Sequence, residues 1–243
     1  MKTVDNNLVG SLLRLMDCFF AKYQPTETKP TLTEDELNDL EANIEPLLIF
    51  AMVWSIGATT TLTGRQKFDA KLKELMGKET KFKFPSNDPG SCYNYFFNKD
   101  IKEWVHWNDL NSTQFTIDPK LSYAEIIVPT FDSIRFKYVK KMLIENSKHV
   151  LCPGPTGTGK TVNISSLLNN EMPEEFVGIP MMFSAQTSAN QTQDTLDEKV
   201  EKRRKGVFGP PTGKKYVIFI DDLNMPKKEE YGAQPPIELI RQW

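Results

Sequence analysis

Residues 154–161 read GPTGTGKT, and Gly154, Gly159, Lys160 and Thr161 satisfy the pattern G-x-x-x-x-G-K-[ST] in full. Average residue usage gives that match by chance in about one chain in a hundred of this length. Its surroundings are more specific. KHVLCP (148–153) leads into the stretch as a short apolar strand, and TVNISSLLNN (161–170) leaves it as a helix. A phosphate-binding loop needs that strand–loop–helix setting. Glycines let backbone N–H groups turn inward around phosphate oxygens, and the following helix N-terminus adds positive potential there. Lys160 is expected to reach β and γ phosphates, and the Thr161 hydroxyl to ligate Mg²⁺.

Downstream, YVIFIDD (216–222) is an apolar strand ending in two acids. Such a strand has a buried interior and an acidic tip at the C-terminal edge of a parallel sheet, where the metal sits. Asp221 is expected to orient Mg²⁺ and its water. Asp222 stands where many ATPases of this type place a glutamate that polarises the attacking water. Its side chain is one methylene shorter, and a misplacement of about 1 Å can cost about 100-fold in rate. Asp222 therefore leaves hydrolysis open without weakening the case for binding.

The flanking pattern is α/β. AEIIVPT (124–130) reads as a strand and FDSIRFKYVKKMLIEN (131–146) as an amphipathic helix. EEFVGIPMMFSA (174–185) reads as a strand. SANQTQDTLDEKVEKRRKG (188–206) reads as a polar helix with a basic last turn, stopped by Gly206. GPPTGKK (209–215) reads as a turn, and PPIELIRQW (235–243) as a helix.

The first 80 residues read as mostly helical. Leu8, Leu12, Leu15, Met16, Phe19 and Tyr23 share one helical face. YQPTETKP (23–30) breaks the pattern, and Thr33 with Glu36 spells a capping box. Pro46 is expected to break or kink the helix that follows. PLLIFAMVWSIGA (46–58) then forms a second, deeper helix, too short to span a bilayer of about 20 residues. GRQKFDAKLKELMG (64–77) reads as a helix with Gly77 as its C-cap. Residues 81–120 are rich in aromatics and turn residues and suggest short strands that pack against a neighbouring module.

The chain of 243 residues carries a net charge of -2. That balance gives no reason to expect nucleic acid or a membrane as partner. Acids interrupt the basic run KVEKRRKG (199–206), which reads as a solvated helix end. Cys18, Cys92 and Cys152 stand far apart and read, with no signal peptide at the N-terminus, as reduced thiols of a cytosolic protein. His106 and His149 have no ligand-spaced partners.

Several stretches resemble the axonemal dynein heavy chains. They are IIVPTFDSIRF (126–136), LCPGPTGTGKTV (151–162), FSAQTSANQTQD (183–194), EKRRKGVFGPPTGKK (201–215) and FIDDLNMPKKEEYGAQPPIELIRQW (219–243). They are similar to the third AAA+ module of the motor ring. Residues 1–80 resemble the helical lid of the preceding module, and KFPSNDPGSCYNYF (83–96) the link between the two. The resemblance implies an α/β P-loop (AAA+) partial three-layer domain over 121–243, C-terminally incomplete, preceded by a mostly α-helical domain. AAA+ sheets have strand order 5-1-4-3-2, and the chain is expected to end before strand 4. Gly154, Pro155, Thr156, Gly157, Thr158, Gly159, Lys160 and Thr161 then bind ATP or ADP, with Val128 and Thr130 near the adenine. Lys160, Asp221 and Asp222 are the implied catalytic residues, and Thr161 and Asp221 the implied Mg²⁺ ligands. The implied partners are neighbouring AAA+ modules and, through the full-length protein, microtubules and dynein intermediate and light chains. The implied location is the cytoplasmic cytoskeleton, in the axoneme of cilia and flagella. On this reading the site powers or gates minus-end-directed movement, and the segment alone is inactive. The alternative is a regulatory or structural module that binds nucleotide without hydrolysing it.

Overall fold

The computed structural model describes residues 4–25, 31–85, 91–110 and 126–242. Contacts divide the chain into two compact units, Met1–Val150 and Leu151–Trp243.

The first unit is built on helices. α1 (Asp5–Phe20) buries Leu15 and Phe19 from its apolar face. α2 (Glu34–Ser55) opens on the expected capping box. The Glu36 N–H donates to Thr33 Oγ1 at 3.3 Å, and the Thr33 N–H donates to Glu36 Oε2 at 3.0 Å. The break expected at Pro46 does not occur, and α2 runs through it as one helix. Proline removes the hydrogen bond to the Ala42 carbonyl. Continuing the helix buries Leu47, Phe50, Ala51, Val53 and Trp54, which outweighs that loss. This helix is long and apolar enough to cross a membrane by length and composition, yet these apolar residues sit in the protein core. α3 (Leu62–Glu79) also outruns its expected end. Gly77 stays helical, and the helix closes when the Thr80 N–H donates to the Met76 carbonyl at 3.2 Å.

The aromatic stretch forms a hairpin, β1 (Tyr95–Asn98) antiparallel to β2 (Glu103–His106). The short strands are as expected, while the rings pack onto α2 within the same unit. Trp107 is the centre: Phe96, Tyr138, Trp54 and Phe50 surround it at ring-centroid distances of 4.9, 5.3, 6.2 and 6.4 Å. Its indole N–H donates to the Tyr93 carbonyl at 3.0 Å. α4 (Phe131–Glu145) joins the same core through Ile134, Tyr138, Val139, Met142 and Leu143. Arg135 Nη1 donates to the Tyr93 carbonyl at 3.2 Å, and Lys148 pairs with Asp17 at 3.0 Å. Packing thus groups α4 with the helices and hairpin before it.

The second unit holds α5 (Lys160–Asn170), β3 (Phe176–Met182), α6 (Ala189–Asp197), β4 (Glu201–Arg204), β5 (Val207–Gly209), β6 (Lys215–Asp221) and α7 (Pro235–Ile240). β3 and β6 are parallel, in register from Phe176 opposite Lys215 to Met182 opposite Asp221, with Pro180 opposite Phe219. This is the adjacency of the second and third strands in the expected order. α5 packs close to β3: a Cβ on Gly178 would lie 3.3 Å from Leu168 Cβ. Ile179, Met181, Phe183 and Leu196 form a small core, flanked by Tyr216, Ile220, Leu223 and Ile240.

Three expected elements differ. Residues 148–153 form no strand, because a strand exists by its ladder and none of the described strands pairs with them. Residues 126–130 likewise form no strand, while Ala124 and Glu125 lie outside the described residues. The long helix at 188–206 stops at Asp197, and the basic run folds as the β4–β5 hairpin. A helix would stack Lys199, Lys202 and Arg203 at destabilising three- and four-residue spacings. The hairpin separates them, turns at Gly206 with φ 75°, and lets Arg203 Nε donate to the Pro210 carbonyl at 3.1 Å.

Candidate functional site

The phosphate-binding loop owes its shape to two glycines with left-handed backbone. Gly157 has φ 76° and Gly159 φ 72°. Side chains with a Cβ resist that region, so glycine is needed at both turns. Gly159 is the N-cap of α5 and provides no side-chain hydrogen bond. α6 differs: its cap, Ser188, accepts from the Gln191 N–H at 3.2 Å. The first N–H groups of any α-helix lack intrahelical partners. At α5 no cap side chain occupies them, which suits an anion.

Inside the loop, Thr158 Oγ1 donates to the Pro155 carbonyl at 2.9 Å. Lys160 curls back over the loop, and its ammonium donates to the carbonyls of Gly154 at 2.9 Å and Pro155 at 2.5 Å. Its charge is thereby held at the loop. Asn163 Nδ2 donates to the Gly159 carbonyl at 2.8 Å. Asn163 belongs to no motif in the sequence; its one signal there is an amide one helical turn after the last loop glycine.

Loop and acidic strand end meet. Thr161 Oγ1 donates to Asp221 Oδ2 at 2.6 Å. The other oxygen, Asp221 Oδ1, accepts from the Asp222 N–H at 3.1 Å. The parallel pairing continues one residue past β3, where the Phe183 N–H donates to the Asp221 carbonyl at 3.0 Å. Asp222 then leaves the strand with φ 53°, a left-handed conformation uncommon outside glycine and best tolerated by Asp and Asn. Its carbonyl accepts from the Met225 N–H at 2.9 Å, closing a tight turn.

The structure therefore brings Thr161 of the loop to Asp221 of the strand, with Lys160 beside the first and Asp222 beside the second. Among the described residues no group of three or more His, Cys, Asp or Glu side chains converges on a metal site. Thr161 and Asp221 offer two hard oxygens instead. That fits Mg²⁺, which keeps several waters and takes one or two protein ligands beside phosphate oxygens. Val128 and Thr130 lie in the first unit and the loop in the second. Val128 is exposed, and Thr130 caps α4, with Oγ1 accepting from the Ser133 N–H at 3.2 Å.

Two family models divide the chain between them. Residues 115–243 match the P-loop containing dynein motor region, and residues 1–109 match the dynein heavy chain AAA lid domain. The chain belongs to the dynein heavy chain family. It is 46% identical to dynein axonemal heavy chain 1 of Mus musculus, over 99% of this chain and 6% of the relative. It is 44% identical to dynein axonemal heavy chain 1 of Homo sapiens, over 98% of this chain and 6% of the relative. It is 38% identical to human dynein axonemal heavy chain 12, over 97% of this chain and 8% of the relative. The chain thus spans well under a tenth of the length of these dyneins. Its fold is an α/β AAA+ segment preceded by helices, and the dynein lid match extends through the aromatic hairpin.

Proposed function

We propose that this segment carries a nucleotide site of a dynein motor ring, within its third AAA+ module, and that residues 1–80 belong to the lid of the module before it. The observation that carries the reading is the 2.6 Å bond from Thr161 to Asp221, which ties the loop helix to the acidic strand end. ATP or ADP binds across Gly154, Pro155, Thr156, Gly157, Thr158, Gly159, Lys160 and Thr161. Thr161 and Asp221 would hold Mg²⁺, which neutralises charge on the β and γ phosphates. The Lys160 ammonium exchanges its two carbonyl partners for phosphate oxygens, trading neutral acceptors for charged ones. The N-terminus of α5 contributes its N–H groups to the same oxygens.

Asp222 orients the attacking water less well than a glutamate would, so the site gates the motor rather than driving it. Its left-handed backbone supports this reading, because the turn fixes the direction of an already short side chain. A non-hydrolysing regulatory or structural module is the second reading, and the same residue favours it. In the full-length protein the site serves minus-end-directed movement on microtubules in the axoneme of cilia and flagella. Neighbouring AAA+ modules and intermediate and light chains are its partners there. The segment alone turns over ATP at well below about 1 per second.

Calorimetry of Mg²⁺–ATP and Mg²⁺–ADP against the chain, with Lys160→Ala as control, tests the site. Binding that Lys160→Ala weakens about 10- to 100-fold is expected. A folded chain that binds neither nucleotide overturns the assignment for this segment. In a complete motor, Asp222→Glu is expected to raise turnover, and unchanged turnover would remove the carboxylate's reach as the limiting factor.

A further inference from the structure

The Gly159 carbonyl receives two hydrogen bonds from one residue. The Asn163 backbone N–H donates to it at 3.0 Å, as the first helical bond of α5. The Asn163 side-chain Nδ2 donates to it as well, at 2.8 Å. One bond would satisfy a helical carbonyl, so the second needs a reason. It comes at a cost, because Asn163 Oδ1 is buried without a hydrogen-bond partner. A leucine, branched at the same carbon, would leave no orphaned acceptor.

The reason lies in the peptide that the carbonyl belongs to. The plane joining Gly159 to Lys160 carries the Gly159 carbonyl on one side and the Lys160 N–H on the other. Gly159 has no Cβ and rotates readily about its backbone bonds. A flip of this plane would withdraw the N–H from the anion side of the loop and present an oxygen to phosphate instead. Two donors on the carbonyl, both from Asn163, hold the plane with its N–H toward the loop interior. The side chain sits close enough that a Cβ on Gly159 would lie 3.4 Å from Asn163 Nδ2. The front of this helix end has no side-chain cap, and its support comes from behind.

We infer that Asn163 is a positioning residue of the nucleotide site: it holds the Gly159–Lys160 peptide in the orientation that binds phosphate. This rests on the nucleotide reading above. Leucine at 163 removes the donor and the orphaned acceptor together. Threonine restores a donor, since a helical Thr hydroxyl can bond the carbonyl four residues back.

The test measures mant-ADP affinity with Mg²⁺ for the wild-type chain, Asn163→Leu and Asn163→Thr, with thermal midpoints for each. Hydrogen exchange across residues 158–163 is followed without nucleotide. Asn163→Leu is expected to bind about tenfold more weakly, as loss of one hydrogen bond implies, with a midpoint at or above wild type and faster exchange at the backbone N–H of residue 163, whose bond to the Gly159 carbonyl a flip would break. Asn163→Thr is expected to recover most of the affinity and the slow exchange. Wild-type affinity in Asn163→Leu overturns the inference, as does equal weakening in both variants. If the wild-type chain binds no mant-ADP, the nucleotide reading fails. The exchange rates then decide separately: equal rates in all three chains show that Asn163 does not hold the peptide.

Discussion

Trp107 in the first unit is 1% exposed and meets four aromatic rings, whereas Thr161 in the second lies open to solvent and meets one carboxylate. The contrast runs through both units. The first buries a long aromatic and aliphatic core drawn from α1, α2, α3, the β1–β2 hairpin and α4. The second rests on a two-stranded parallel sheet and a small core around Ile179 and Phe183. Side-chain packing specifies the first unit. Backbone conformation specifies the candidate site of the second, at Gly157, Gly159 and Asp222. A phosphate is recognised by backbone N–H groups, so the loop must leave them uncovered.

The largest effect that separates the two is expected from Trp107→Ala, which should cost about 3–5 kcal/mol in the first unit, as aromatic truncations in cores do. Denaturation followed by tryptophan fluorescence reads that loss, while mant-ADP reports on the second unit. Simultaneous loss of nucleotide binding would show that the loop depends on the aromatic core and would break the contrast. Next comes Lys160→Ala. It removes a charged donor worth about 1.5–3 kcal/mol, so affinity should fall about 10- to 100-fold with an unchanged thermal midpoint. A lowered midpoint would mean that the lysine bonds to Gly154 and Pro155 hold the loop together.

Asp222 sharpens the backbone side of the comparison. At φ 53°, Asp222→Ala should cost roughly 1 kcal/mol, whereas Asp222→Gly should cost less because glycine accepts that conformation freely. Equal destabilisation by both would assign the effect to the carboxylate instead.

The smallest expected effect is in the first unit. Asp39 accepts from Lys22 at 2.8 Å and from the Tyr23 hydroxyl at 2.5 Å. Those bonds lower its carboxyl from the usual 3.8 to about 2. A depressed carboxyl stabilises the fold above its unfolded pKa, and that stability is lost as pH falls through the folded one. Stability should therefore drop between about pH 4 and pH 2, and Asp39→Asn should flatten the drop. The side chain is 35% exposed, so screening keeps the effect under about 1 kcal/mol. Denaturation midpoints over that range measure it.

The sequence made local chemistry readable and left tertiary compensation hidden. The Thr33–Glu36 box, the loop at 154–161 and the strand ending at Asp221 are each written in a few adjacent residues, and all three are present in the structure. Pro46 looked like a break because its compensation comes from Phe50, Trp54 and their distant aromatic partners. The basic run 199–206 looked helical because its charges sit comfortably at a helix end, but its pairing partner, Val207–Gly209, lies beyond Gly206. At the site, residue types were legible and their contacts were not. The pairing of Thr161 with Asp221 spans 60 positions, and the brace at Asn163 depends on the conformation of Gly159.

One residue gives the sheet a direction of growth. Pro180 lies inside β3, opposite Phe219 of β6. With the parallel ladder intact across that position, the nitrogen that carries no hydrogen faces the other margin of β3. That margin cannot complete a second ladder there, so β3 is a terminal strand by its chemistry. β6 has no such stop, and Ile218 on it is 40% exposed. Any further strand adds beside β6, and the sheet grows from that side and not from β3.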